Sequence, residues 1–321
     1  MLFNRYYLAT FFIILFFSCN SPSPTSKPYH IAFLDAFEDE TISQAKTGFI
    51  KALADSGFSQ SKNLEIIYKN AQGSIPTLNQ EISYVLDQKV QLIATNTTLP
   101  TIAVSQITKS IPIFMMVAPS PQMAGLLNEK GNPPVNLFGV YDNLDYIDTS
   151  ILLVRQIIPS IQTLGAIFSE GESQSHEAYL HLQAECKKLG IKLLALPVNN
   201  SSETHLVVEN LLSHHLDAFF ALPDNSVFSS FETIVQSCKQ ARVPIFTSEE
   251  GLVKRGALAA FGADIYEWGY QAGQQAAHYL KHDKITGLKP ELVKIRRKVY
   301  NTTVATEYKI IIPPGVIALG K

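Results

Sequence analysis

Six short polar segments follow apolar runs in this chain, and their side chains suit holding a small charged solute better than transforming one. DAFEDE (35–40), NTTLP (96–100) and APSPQ (118–122) fall in the first half, and SEGESQS (169–175), PDNS (223–226) and EEG (249–251) in the second. Thr97 and Thr98 combine hydroxyls with a helix start, whose free N–H groups and positive dipole end suit a carboxylate. Ser173 and Ser175 stand likewise before the helix holding His176, and Ser120 sits in the third loop. Asp224, Asn225 and Ser226 suit an ammonium or amide, Glu249 and Glu250 a cation, and Phe37 an aromatic wall. Capping is the competing role, because Ser, Thr, Asp and Asn before a helix satisfy its orphan N–H groups without a ligand. At Thr98 and Ser175 the two roles are equally open. At Asp224–Asn225 one residue suffices as a cap, which leaves the other for a ligand. Of Glu249 and Glu250, one is expected to face the cleft.

Catalytic patterns are missing from the sequence. No G-x-G-x-x-G opens the first helix and no G-x-x-x-x-G-K-[ST] occurs, so neither dinucleotide nor nucleotide phosphates have their cradle. GESQS lacks the final glycine of a nucleophile elbow. His278 and His282 are four apart on an expected helix, but no third ligand lies nearby, so two exposed histidines are expected and no metal. His214 and His215 are adjacent and point to different sides. Glu38 and Asp39 form a second acidic pair, yet adjacency in sequence does not make an acid–base pair across a cleft. The chain is therefore expected to be neither an enzyme nor a cofactor protein.

The formal net charge of -2, without a basic block, argues against nucleic acid as a partner. The N-terminus is more specific. Arg5 precedes an apolar run from Leu8 to Phe17, too short for the ~20 residues that span a bilayer. That order matches a secretory signal, and NSPSPTSKP, with its three prolines, reads as an extended spacer. Phe16-Phe17-Ser18-Cys19 resembles a bacterial lipobox, although Phe16 replaces the usual Leu. The expectation is a signal peptide over 1–18, lipid on Cys19, a tether over 19–28 and an extracytoplasmic body anchored to the membrane. Cys186 and Cys238 lie in helix-like segments without motif spacing, and either a disulfide or buried thiols would satisfy them.

The loops need a scaffold, and the sequence repeats one. Strand-like runs at 30–34, 64–69, 91–95 and 111–117 alternate with helical periods, as do runs at 164–168, 191–198, 216–222 and 243–248, the pattern of parallel α/β sheets. DSGF before the second strand matches KKLGI, KNAQGS after it matches VNNSSE, and IPIF at 111 matches VPIF at 243. The fold expected is α/β, with two doubly wound parallel-sheet lobes and a hinge. Ligands of such sheets bind beyond the carboxyl ends of the strands, where the six loops lie.

EEGLVKRGALAAFGADIYEWGYQAGQQAAHYL, with PDNSVFSSFETIV, KNAQGS and IPIFMMVAPSPQMAGLL, resembles the ABC-transporter substrate-binding proteins of the TrpX-like group, which share the type I periplasmic-binding fold. The likeness runs from about Tyr29 to about Leu280, with RGALAAFG its most specific part. It implies a monomeric receptor that closes on a small solute, an aromatic amino acid in several members, and delivers it to a permease and its ATPase. A receptor serving a chemoreceptor or sensor kinase is the alternative, with an extracytoplasmic α/β enzyme behind it. Three chain crossings, near 139–141, 259–261 and 298–301, would join lobe 1 (29–139 and 262–297) to lobe 2 (140–261 and 298–321). The chain departs from the family at three loops. Ala-Pro-Ser-Pro replaces Thr-Asp-Pro, Glu replaces Asp at 249–250, and DAFEDE replaces a Gln and His-Pro loop. These changes bear on the solute's identity more than on the binding role.

Overall fold

The computed structural model describes residues 27–319, so the signal peptide, Cys19 and most of the tether lie outside the described residues. The first half alternates β1 (Tyr29–Asp35), α1 (Ser43–Asp55), β2 (Leu64–Asn70), α2 (Ile75–Asp87), β3 (Leu92–Asn96), α3 (Thr98–Ile107), β4 (Ile113–Met116) and β5 (Leu137–Tyr141). The second repeats the pattern with α4 (Tyr146–Ile157), β6 (Thr163–Phe168), α5 (Ser173–Lys188), β7 (Lys192–Pro197), α6 (Thr204–Leu212), β8 (Ala218–Ala221), α7 (Asn225–Ser229), α8 (Phe231–Gln240), β9 (Ile245–Thr247), α9 (Glu250–Lys254) and β10 (Ala259–Ala263). The chain then returns through α10 (Ile265–His282), β11 (Glu291–Leu292), β12 (Arg296–Asn301), α11 (Thr302–Tyr308) and β13 (Ile317–Leu319).

Two sheets result, ordered β11-β5-β4-β3-β1-β2 and β13-β12-β10-β9-β8-β6-β7. The shared order β5-β4-β3-β1-β2 and β10-β9-β8-β6-β7 is the sequence repeat in three dimensions. Pairing is parallel except between β12 and β10. The central strands read as continuous apolar runs because both faces are covered. β3 and β4 are buried at every position. Phe33, Phe114 and Trp268 pack on the α1–α10 side of the first sheet, and Leu34, Ile93 and Met115 on the α2–α3 side. In the second sheet Phe220 and Phe246 face α4 and α5, while Phe219 and Ile245 face the α6–α9 side. The repeat extends to turns. Gly57 and Gly190, which follow α1 and α5, adopt φ of 96° and 67°, the left-handed region where a glycine avoids the Cβ penalty.

The chain passes between the sheets three times, from Tyr141 to Tyr146, from Ala263 to Ile265 and from Leu292 to Arg296. Asp142 pairs with Arg296 and Asp264 with Arg297, so ion pairs tie these passages together. Cys186 and Cys238 are free, buried thiols, and burial raises both, Cys186 to about 12 and Cys238 further, which keeps them unreactive. No helix among the described residues is long and apolar enough to cross a membrane.

Candidate functional site

In each sheet the strand order reverses between the first and third strand of the repeat, at β1/β3 and β6/β8. Open α/β sheets bind ligands at this switch point, where loops diverge and leave a crevice. The two switch points face each other. Between them lies a cavity walled from the first lobe by Ile42, Thr97, Val117 and Trp268. The second lobe contributes Tyr146, Gln174, Pro223 to Asn225, Phe228 and Glu249. The enclosed space is about 20 Å³, room for about one water. Direct contacts hold the lobes this close. Thr98 Oγ1 donates to Gln174 Oε1 (2.9 Å), and Ser173 Oγ donates to the Met123 carbonyl (3.1 Å).

The first-lobe wall is strained. Thr97 has φ 75° and ψ 174°, and Val117 has φ 50°. β-branched residues rarely adopt positive φ, and such positions cost roughly 1–3 kcal/mol unless their surroundings hold them. Thr97 is held by its N–H, which donates to the Met116 carbonyl (3.0 Å). Its Oγ1 is buried without a hydrogen-bond partner among the described residues, directly ahead of the first turn of α3. Asn96 Nδ2 links the neighbouring strand ends by donating to Asp35 Oδ1 (2.6 Å) and to the Ile42 carbonyl (3.2 Å).

The opposite wall is acidic and aromatic. Glu249 is 4% exposed, and its Oε2 has no partner among the described residues. Burial raises its carboxyl well above the usual range, the Asp142 carboxylate raises it further, and Ser248 and Arg296 pull it back in part. Burial also lifts Asp142, to about 6, against the pull of Arg296. Tyr146 is fully enclosed beside them, and the Arg296 guanidinium lies 5.4 Å from its ring centre. Trp268 Nε1 donates to the Val140 carbonyl (2.9 Å), which fixes its ring at the cavity. A carboxyl oxygen buried without a partner is costly, and Glu249 Oε2 is such an atom at the cavity wall.

Residues 30–320 match the family model described as ABC transporter substrate binding protein. The chain belongs to that family. A curated relative, the tyrosine-binding protein of Clostridioides difficile (strain R20291), is 31% identical over 262 residues, 82% of this chain and 75% of the relative. A conserved domain protein of Vibrio cholerae O1 biovar eltor superposes with TM-score 0.84 at 26% identity, covering 92% of this chain and all of that one. The ABC domain from Streptococcus pneumonia in complex with L-Trp superposes with TM-score 0.83 at 23% identity, over 91% of this chain and all of that one. The fold is that of type I periplasmic-binding proteins, as the resemblance of RGALAAFG and its neighbours to the TrpX-like group implied.

In this substrate-binding protein the expected site residues divide. Thr97, Asp224, Asn225 and Glu249 line the cavity, and Thr98 touches it through Gln174. Both Asp224 oxygens are taken by the protein, Oδ1 by the Val227 N–H and Oδ2 by the Ser169 N–H, each at 2.9 Å. Asn225 Nδ2 donates to Glu172 Oε2 (2.9 Å), a carboxyl that burial and Asp224 push up to about 7. Ser175 is fully buried and accepts from the Ser169 N–H (2.8 Å), which makes it a loop clamp. Ser120 accepts from the Met123 N–H and Ser173 stands at the rim. Glu250 turns away toward Arg297, 3.9 Å distant, and Phe37 packs against the second-lobe core. Tyr146, Gln174, Phe228 and Trp268 were not among the expected residues. Trp268, the single tryptophan of the chain, was marked by its rarity. Tyr146 was marked only by following the first crossing between lobes.

Proposed function

We propose that this protein is the solute receptor of an ABC importer and captures an amino acid with an aromatic side chain by closing its two lobes. The observation that carries this reading is the buried Glu249 carboxyl, whose Oε2 has no partner among the described residues, facing a cavity walled by Tyr146, Phe228 and Trp268. An α-ammonium would seat on Glu249. The α-carboxylate would take Thr97 Oγ1 and the first-turn amides of α3, which have no intrahelical partner. The aromatic walls would pack against the side chain. A cavity of about 20 Å³ does not admit such a solute, so entry requires the lobes to part, and the three crossing segments provide the hinge. The names of the relatives support the solute class: a tyrosine-binding protein and an L-Trp complex. The Leu8–Phe17 run and Cys19 support secretion with a lipid anchor, which would hold the receptor beside its permease and ATPase as a non-enzymatic partner.

Thermal unfolding with L-tyrosine, L-tryptophan and L-phenylalanine tests the reading, against aliphatic amino acids, sugars and nucleosides. A solute at 100 times its Kd adds about 2.7 kcal/mol. A shift with an aromatic amino acid supports the assignment. A shift with a sugar or nucleoside alone overturns the solute class, and no shift overturns the receptor.

A further inference from the structure

We infer that Arg255 is a positioning residue that latches the closed lobes and sets solute affinity without touching the solute. This rests on the hinged closure proposed above. Arg255 follows α9 in the second lobe, and all five of its N–H donors are engaged. Nε and Nη2 donate to Glu232 (2.8 and 2.9 Å), and Nη2 also donates to the Phe228 carbonyl (3.0 Å). These bonds stay within the second lobe. Nη1 reaches the loop after β1 in the first lobe, donating to Asp39 Oδ2 (2.6 Å) and Thr41 Oγ1 (3.2 Å). The Arg255 and Asp39 side chains are 11% and 3% exposed, so the pair is shielded where charge-assisted bonds are strong. Glu232 alone already balances the guanidinium and fixes its plane. The contact with Asp39 therefore adds closure, and of the Arg255 bonds those to Asp39 and Thr41 are the ones lost when the lobes part.

The latch reaches both cavity walls. Asp39 Oδ1 accepts from the Thr41 and Ile42 N–H groups (both 2.9 Å), which holds the turn that presents Ile42 to the cavity. On the other side Arg255 holds the carbonyl of Phe228, another wall residue. Beside the latch, Gly251 packs so tightly on Thr41 that an added Cβ would lie 2.1 Å from Thr41 Cγ2. Gly251 is helical, so alanine there favours α9 itself. A methyl at this position acts as a wedge that opposes closure alone. Because apparent Kd equals intrinsic Kd divided by the closed fraction, either change weakens binding without altering a solute contact.

The experiment compares wild type, Gly251→Ala, Asp39→Asn and Arg255→Lys by small-angle scattering, with and without L-tyrosine or L-tryptophan, and by calorimetric Kd. Without amino acid, the variants are expected to have a larger radius of gyration than wild type. At saturation they should contract to the wild-type value, with Kd raised about tenfold or more. The melting temperature of amino-acid-free Gly251→Ala should be no lower than wild type, which separates a wedge from damage to a lobe. Variants as compact as wild type, with unchanged Kd, would overturn the latch while leaving closure intact. A radius that changes neither with amino acid nor with the wedge would overturn closure itself. Should neither amino acid bind, the comparison without ligand decides the latch.

Discussion

Glu249 sits where burial and Asp142 oppose its charge, so its proton should be measurable in two ways. Its folded pKa is raised above the ordinary value of 4.5, and the folded state therefore binds a proton more tightly than the unfolded chain. That stabilisation is fully present below about 4.5 and is lost as pH rises through the folded pKa. Asp142, raised from 3.8 to about 6, acts in the same direction over the window between those values. Urea unfolding of the solute-free protein from pH 4 to 8 should show Glu249→Gln losing less stability with rising pH than wild type. The same variant should bind an aromatic amino acid at least tenfold more weakly, because a neutral amide replaces the ammonium's counter-charge. A variant with wild-type pH slope and wild-type Kd would remove Glu249 from the site. The acid at 249 was legible from its place after a buried strand. The left-handed φ of Thr97 was not, since nothing in NTTLP distinguishes a strained threonine from an ordinary cap. Asp224, a helix cap, and Ser175, a loop clamp, show the converse, because a structural role and a ligand role leave the same residue types in a sequence. Only the hydrogen bonds distinguish them.

At the scale of elements, α1 and α10, which cover one face of the first sheet, approach each other backbone to backbone. A Cβ on Gly269 would lie 1.9 Å from the Ala45 carbonyl oxygen, and one on Gly48 would lie 2.0 Å from that of Tyr266. The spaced glycines of GYQAGQQAAHYL were visible in the sequence, but their partner helix was not, because contact between residues more than 200 positions apart leaves no local trace. Helix propensity alone favours alanine over glycine by about 1 kcal/mol. The backbone contact should win, since the two helices must separate to admit a methyl, and overpacking typically costs about 1–3 kcal/mol. Gly269→Ala is therefore expected to be net destabilising in chemical denaturation, and a stabilised variant would refute the packing. The strands and helices themselves were legible because continuous apolar runs and helical periods alternate in matching order. The repeat also predicted two similar doubly wound lobes, and the two sheets share one strand order over the repeated strands. The crossings, expected near 139–141, 259–261 and 298–301, fall instead at 141–146, 263–265 and 292–296, because a strand such as β5 or β12 has the same composition in either sheet.

For the whole molecule, the proposed seat means that a solute is held by both lobes together. The proposed carboxylate seat at α3 belongs to the first lobe and Glu249 to the second, and neither lobe is a contiguous stretch of chain. Binding must therefore order loops that are far apart in sequence at the same time, with an energy set by the solute's preference for the closed state. Hydrogen exchange at saturating aromatic amino acid should show protection rising together in residues 36–42 and 97–101 of the first lobe and in 223–228 and 249–254 of the second. Residues 64–70 and 192–197, which form strands next to each sheet's switch-point strand but away from the cleft, should keep their solute-free rates. Protection confined to one lobe's loops would mean that the solute rests on a single face, and the two-lobe seat would then be wrong. Protection spread evenly over both sheets would instead indicate general stiffening without closure. The paired response in the four loops, with the outer strands unmoved, is the signature that two facing switch points sharing one solute require.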